Sequence, residues 1–262
     1  MKYGAIAGRR FGEDIEESFR IASEIGFDGI EFPFLARDYQ TELLWTAEGA
    51  QQVRAMAEHY GLELPSCVAG RYNLRGFAAE DPEVREEAVE VMLGLIDGCA
   101  EAGIETILTA FFGEMAMDTE QKVQWGIEGV KRCAPKAESR GVTLALEGTV
   151  PVETWLRMID AIGSDAVGVY YDVANAMTYG YDSSAEMPVL MEAGLLRQIH
   201  IKDMTRDRKN MPLGRGEVDF DAVGRTIREI GYDDWLVLET PSSGDPAVEQ
   251  KEYLEFTRAL FE

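Results

Sequence analysis

One pattern recurs along the chain and limits its fold more than any other: an amphipathic segment ends in glycine, and an apolar, β-rich run follows at once. It appears in EIGFDGIEFPF (24–34), HYGLELPSCVAG (59–70), EAGIETILTAFFG (101–113), SRGVTLALEG (139–148), EAGLLRQIHIKD (192–203) and EIGYDDWLVLET (229–240). Glycine at such a junction suits a helix C-terminus, where the chain passes through a left-handed backbone that a Cβ would strain. Two more apolar runs, KYGAIA (2–7) and AVGVYYDVAN (166–175), bring the strands to eight. Helix starts keep the same beat. Asp14 precedes Ile15-Glu16-Glu17 as an N-cap with an acid at the third position, and Asp81-Pro82 and Asp245-Pro246 put proline at the first helical position after a capping aspartate. The strand runs are continuously apolar, as for strands covered on both faces. Eight strand–helix beats in 262 residues predict an α/β fold, a (β/α)8 TIM barrel, with residues 1–262 as a single domain. An open doubly wound sheet is weakened by the lack of a GxGxxG turn after the first strand. No composition shift or linker marks a second domain.

In a barrel the active site lies where strands end and the following loops begin. TLALE ends in Glu147 and VGVYYD in Asp172, with Asn175 three residues on. IHIKD carries His200, Lys202 and Asp203, and WLVLE ends in Glu239. An ionised carboxylate at the edge of an apolar core is costly unless it is paired or holds a metal. Alone, a strand-end Glu reads as a capping or salt-bridge residue, and a lone His as a satisfied core residue. Four in register on consecutive strands argue for one divalent cation instead. Oxygen ligands with one nitrogen suit Mn²⁺, Mg²⁺ or Co²⁺, with Zn²⁺ admissible.

These motifs, LALEG, VYYDVANAMTYG, IHIKDM, the LGRGEVDF loop and WLVLET, resemble the xylose isomerase-like TIM-barrel superfamily of sugar and sugar-phosphate isomerases and epimerases. The resemblance extends from GFDGIEF to YDDWLVLET, nearly the whole chain. It implies one divalent metal on Glu147, Asp172, His200 and Glu239. It also implies a ketose 3-epimerase type of chemistry through a metal-stabilised enediolate, with Glu147 and Glu239 as the two acid/base groups on opposite faces of the substrate. Asn175 stands where many relatives have histidine. Asp-x-x-Asn followed by glycine is similar to the pentulose-5-phosphate 3-epimerase branch, and Asn there would hydrogen-bond a sugar hydroxyl. A three-zinc endonuclease site needs several histidines, and only His59 and His200 exist. His59 reads as a surface residue near a helix end. Related dehydratases and C-glycoside deglycosidase-like lyases share the site type, so water loss or lysis of a keto-sugar or keto-inositol is an alternative. A non-catalytic sugar-binding barrel is the alternative of another class. Relatives of this kind often pair through exposed barrel faces, so the oligomeric state stays open, with a homo-oligomer as one option.

The loop after the seventh strand is basic in an otherwise acidic protein. Lys202, Arg206, Arg208, Lys209 and Arg215 stand against Asp203 and Asp207. With Arg71 and Arg75 of GRYNLRG, it could read a phosphate, or it could be a solvated charged loop. Substrate-binding candidates are therefore Asn175, Lys202, Arg206, Arg208 and Arg71. Glu31, in GIEF, is a further candidate that meets the substrate or closes a polar network. Gly214 and Gly216 read as turn residues. The aromatics Phe32, Phe34, Phe111, Phe112, Tyr170, Tyr171 and Trp235 read mainly as core.

The net charge of −23, from 48 acidic and 25 basic residues, argues against nucleic-acid binding, because phosphates would be repelled. Only seven of the basic residues are lysine. An acidic, lysine-poor surface would suit a salt-rich cytoplasm, and the plainer reading is an ordinary acidic enzyme. No apolar run reaches the ~18 residues of a membrane span, and MKYGAIAGRRFGED lacks a signal-peptide pattern. Cys67, Cys99 and Cys133 show neither zinc nor disulfide spacing. A cytoplasmic enzyme acting on a small sugar or sugar phosphate is expected.

Overall fold

The computed structural model describes residues 1–8, 11 and 14–261. Its elements, in order, are β1 (Lys2–Ile6), α1 (Ile15–Ile25), β2 (Gly29–Pro33), α2 (Ala47–Tyr60), β3 (Cys67–Ala69), α3 (Pro82–Ala102) and β4 (Thr106–Phe111). Then follow α4 (Glu120–Arg140), β5 (Thr143–Gly148), α5 (Val152–Ile162), β6 (Val167–Asp172), α6 (Val173–Thr178), α7 (Ser183–Glu192) and β7 (Leu196–Ile201). The chain continues with β8 (Asp203–Met204), β9 (Asn210–Met211), α8 (Phe220–Glu229), β10 (Trp235–Leu238) and α9 (Pro246–Phe261).

Eight of the strands close into a barrel in the order β1-β10-β7-β6-β5-β4-β3-β2. Neighbouring strands around it pair in parallel, as at Ala5↔Leu238, Ile6↔Glu31, Val237↔His200 and Ala110↔Glu147. The fold is thus the (β/α)8 barrel that the repeating pattern predicts. Every residue of β4, β6 and β10 is buried, which is why those runs are mainly apolar.

Six glycines close the repeated segments. Gly26, Gly61, Gly103, Gly141, Gly194 and Gly231 all have φ between 65° and 97°. Gly26 N–H donates to Ala22 and Ser23 carbonyls, which ends α1. Helix starts follow the capping aspartates: Asp14 accepts from Glu16 N at 2.8 Å, Asp81 from Glu83 N at 2.9 Å, and Asp245 from Ala247 N at 2.9 Å. Two features exceed the simple beat. After β6 come two helices rather than one, because Asp172 itself caps α6 and Asp182 then caps α7. The basic loop after β7 carries a two-stranded antiparallel hairpin, β8–β9.

The residues group into two compact units, Met1–Glu31 with Ala57–Glu63 and Tyr170–Glu262, and Phe32–Met56 with Leu64–Val169. In the first, α9 packs on α1 and α8, and Arg258 Nη2 donates to the Gly26 carbonyl at 2.9 Å. In the second, α4 packs between α3 and α5. There Tyr72, wholly buried, donates its hydroxyl to the Ala88 carbonyl at 2.5 Å.

Candidate metal centre

The barrel topology explains how acids distant in sequence meet. Asp172 ends β6 and starts α6 at once. Its Oδ1 accepts from the backbone N–H groups of Ala174 and Asn175, each at 2.8 Å, so the side chain is fixed by the helix it caps. Its Oδ2 is buried and accepts no hydrogen bond among the described residues. His200 stands on β7 opposite Val237 of β10. Glu239 follows β10, and its N–H donates to the Ile201 carbonyl at 3.0 Å, which sets it beside His200. Glu147 lies on β5 opposite Ala110.

One donor atom from each of Glu147, Asp172, His200 and Glu239 lies within 4.8 Å of the other three. Glu147 is 5 % exposed, Asp172 4 % and His200 1 %. The Tyr170 ring packs on the His200 ring, with centroids 4.3 Å apart. His200 Nε2 lies 3.1 Å from Glu31 Oε2, and Nδ1 lies 3.5 Å from Glu239 Oε2. Lys202 Nζ lies 3.1 Å from Glu239 Oε2 and 3.9 Å from Asp172 Oδ2.

Burial is the main influence on Asp172 and pushes its carboxyl above the usual range. Lys202 pulls it down, Glu239 pushes it up, and His200 pulls it down again. Three carboxylates packed this closely repel one another, and one of their oxygens is buried without a hydrogen bond. Hard oxygen donors with one imidazole nitrogen fit a divalent cation of the Mn²⁺, Mg²⁺ or Co²⁺ kind, or Zn²⁺. The residues present therefore fit the group.

The remaining sequence candidates fall in three places. Asn175 is in the first turn of α6, and Lys202 rests on two of the carboxylates. Glu31, on β2, is wholly buried beside His200. Arg206 and Arg208 lie at the hairpin tip. The Arg206 side chain is 79 % exposed and pairs with Glu217 at 3.3 Å, while the Arg208 guanidinium sits 4.2 Å over the Tyr179 ring. Arg71 is placed otherwise than the phosphate expectation: it exposes no surface, it pairs with Glu87 at 2.6 Å, and it stacks 4.9 Å over Tyr39. Arg75 pairs with the same glutamate.

Asp203 has a part that the sequence does not announce. Buried, it accepts the N–H groups of Met204 at 2.9 Å, Gly216 at 2.7 Å and Val218 at 3.2 Å. It thereby ties both ends of the basic loop together. A Cβ on Gly216 would lie 2.1 Å from Asp203 Oδ1, so this glycine serves close approach, while Gly214, with φ +74°, forms the turn. The only sequence signal was an acid directly after IHIK and two glycines at the loop's end.

Comparison with known proteins bears on the family and the fold. The profile of a family described as "Xylose isomerase-like TIM barrel" matches residues 19–260. The chain is 25 % identical over 261 residues to the L-ribulose-5-phosphate 3-epimerase UlaE of Escherichia coli (strain SE11), covering 95 % of this chain and 90 % of that protein. The UlaE of Shigella sonnei matches at the same 25 % over 261 residues, with the same coverage. Among solved structures, the 3-keto-D-glucoside 4-epimerase YcjR from E. coli superposes with a TM-score of 0.82 at 20 % identity, covering 99 % of each chain. D-psicose 3-epimerase from Clostridium cellulolyticum H10 gives a TM-score of 0.82 at 17 % identity over 100 % of each. These relatives are sugar epimerases, enzymes of the isomerase class. No described helix is long and apolar enough to cross a membrane.

Proposed function

The chain belongs to the xylose isomerase-like TIM-barrel family, and on that premise we propose that it is a divalent-metal-dependent sugar or sugar-phosphate epimerase of the ketose 3-epimerase type. The observation that carries the reading is the set Glu147, Asp172, His200 and Glu239, whose donor atoms lie within 4.8 Å of one another. Residues 1–262 act as one catalytic barrel in this reading, and Mn²⁺ is the preferred ion. Buried thiols at Cys67, Cys99 and Cys133 suit a reducing compartment, so the cytoplasm is the proposed location.

When bound, the cation supplies Lewis-acid polarisation of adjacent substrate oxygens, which acidifies the carbon–hydrogen bond beside the carbonyl. The rest falls to the chain's own side chains. One of Glu147 and Glu239 removes the C3 proton, and the other returns a proton to the opposite face, which inverts that centre and leaves the mass unchanged. Glu147 is buried and Glu239 half-buried, which keeps competing water away from the reacting carbon. Lys202, already against Glu239 and Asp172, would donate to a substrate oxygen. Asn175 would bind a hydroxyl. Arg206 and Arg208 at the hairpin tip are the residues proposed to meet a phosphate. Arg71, buried on Glu87, takes no part in this scheme.

Likeness of the curated relatives suggests L-ribulose 5-phosphate as the first substrate to try. Product analysis by ¹³C NMR with Mn²⁺ present tests the proposal on that compound, free ketoses and a 3-keto-glucoside. An epimer of equal mass supports it. A dehydrated or cleaved product would transfer the site to the dehydratase or lyase reading, and ligand binding without turnover to the sugar-binding one.

A further inference from the structure

His200 is held from both sides of its ring. Nδ1 faces Glu239 at 3.5 Å, and Glu239 is a member of the four-residue cluster. Nε2 faces Glu31 at 3.1 Å, and Glu31 is not one of the four. An imidazole that ligates a metal through one nitrogen commonly donates the other N–H to a carboxylate, which fixes the tautomer and the ring's direction.

The backbone makes Glu31 a rigid partner. It sits in the middle of β2, opposite Ile6 of β1. Its carbonyl accepts from Ala7 N at 3.0 Å, and its neighbours Ile30 and Phe32 donate to the Glu63 and Ser66 carbonyls, each at 2.9 Å. The residue exposes none of its surface, so it presents nothing to a substrate. Stability alone does not call for an acid here, since a buried ion pair is often no better than a well-packed apolar residue in its place. All its flanking strand neighbours, Ile30 and Phe32, are apolar and buried. The acid is the exception at the position that meets the one buried histidine.

We infer that Glu31 is a positioning residue: it accepts the Nε2–H of His200 and thereby aims Nδ1 at the metal cluster. Its purpose rests on the metal reading above, while the direction of the ring does not. Glu31 strengthens metal binding without touching the metal, and removing it lowers affinity by the 10- to 100-fold typical of such outer partners. Gln, whose amide oxygen still accepts from Nε2–H, restores part of that loss.

Two measurements decide it. Protein freed of metal with EDTA is titrated with Mn²⁺ by calorimetry as wild type, Glu31→Ala and Glu31→Gln. The wild-type imidazole ¹⁵N spectrum is recorded without metal, where only two histidines contribute and His59 is exposed. We expect roughly 10- to 100-fold weaker Mn²⁺ binding in Glu31→Ala, a smaller loss in Glu31→Gln, and a slowly exchanging proton on His200 Nε2. Equal affinity in wild type and Glu31→Ala, or a His200 ring protonated on Nδ1 alone, overturns the inference. Wild type that binds no Mn²⁺ sinks the metal reading instead, and the Nε2 proton still decides the ring's direction. Should Glu31→Ala not fold, the Nε2 proton together with reduced affinity in Glu31→Gln supports the inference, and the absence of either overturns it.

Discussion

Lys202 Nζ lies 3.1 Å from Glu239 Oε2, a fixed cation resting on one of the four clustered metal-ligand candidates. The same nitrogen is 3.9 Å from Asp172 Oδ2. Without a metal, Lys202 is the charge that offsets the carboxylates. With one, it is a like charge beside the ion. Lys202→Met should therefore lower the melting temperature of the metal-free protein, by about 1–2 kcal/mol of stability after solvent screening. It should also tighten Mn²⁺ binding. The Mn²⁺-induced rise in Tm, read by thermal shift, should be larger in the variant than in wild type. An equal rise would put Lys202 outside the cluster's field.

Metal removal gives a second prediction. A ligand at a hundred times its Kd stabilises by about 2.7 kcal/mol. For a chain of this size that is about 5–10 °C in Tm. EDTA followed by Mn²⁺ should show this fall and recovery in wild type. Asp172→Asn and His200→Ala should show almost none of it, because the first removes a ligand's negative charge and the second removes the nitrogen donor. A full response in both variants would place the ion elsewhere.

The loop after β7 depends on Asp203 and Gly216. A Cβ at Gly216 would come 2.1 Å from Asp203 Oδ1 and 2.6 Å from the Met204 carbonyl, so neither atom can yield without breaking the loop's anchor. Gly216→Ala should lose roughly 2–3 kcal/mol in urea unfolding and raise KM for any phosphorylated substrate, since Arg206 and Arg208 ride on this loop. Wild-type stability and KM in the variant would contradict the anchoring role.

Cys133 supplies a prediction in pH. Burial pushes its thiol up to about 12, against smaller opposing effects of Arg132 and Lys136. A group whose folded pKa is raised contributes stability that is present below its unfolded pKa and lost as pH rises towards the folded value. For a thiol the loss begins near pH 9 and costs up to about 1.4 kcal/mol per pH unit. Tyr171 and Tyr232 are raised as well, so the measurement is a difference. The stability advantage of wild type over Cys133→Ala should shrink by about 1 kcal/mol between pH 8 and pH 10. An unchanged difference would mean that the thiol ionises as freely folded as unfolded.

The barrel was legible because its punctuation is local. Gly26, Gly103 and Gly141 announce helix ends by their own backbone needs, and Asp81-Pro82 announces a start without reference to anything distant. Glu147, Asp172, His200 and Glu239 were legible for a related reason: each ends or interrupts an apolar run, where a polar residue needs a cause. Arg71 was misleading because its partner Glu87 lies 16 residues away on α3, and nothing in GRYNLRG says that the side chain turns inward. Glu31 and His200 are 169 residues apart. Their contact exists only because barrel closure brings β2 and β7 to one interior. The same holds for Asp203, whose partners Gly216 and Val218 are 13 and 15 residues on, across a hairpin that a charge count reads as plain loop.

Hydrogen exchange at C3 tests the central claim most directly. The account predicts that wild type with Mn²⁺, incubated in deuterated water with L-ribulose 5-phosphate and a panel of free ketoses, places deuterium at C3 of at least one ketose and forms its 3-epimer. Glu147→Gln and Glu239→Gln, folded by circular dichroism, should each reduce that epimerisation by a factor of 10² or more, on the order of what a general acid or base contributes. No exchange at C3 across the panel in the Mn²⁺-loaded wild type, or undiminished epimerisation in both variants, would contradict it.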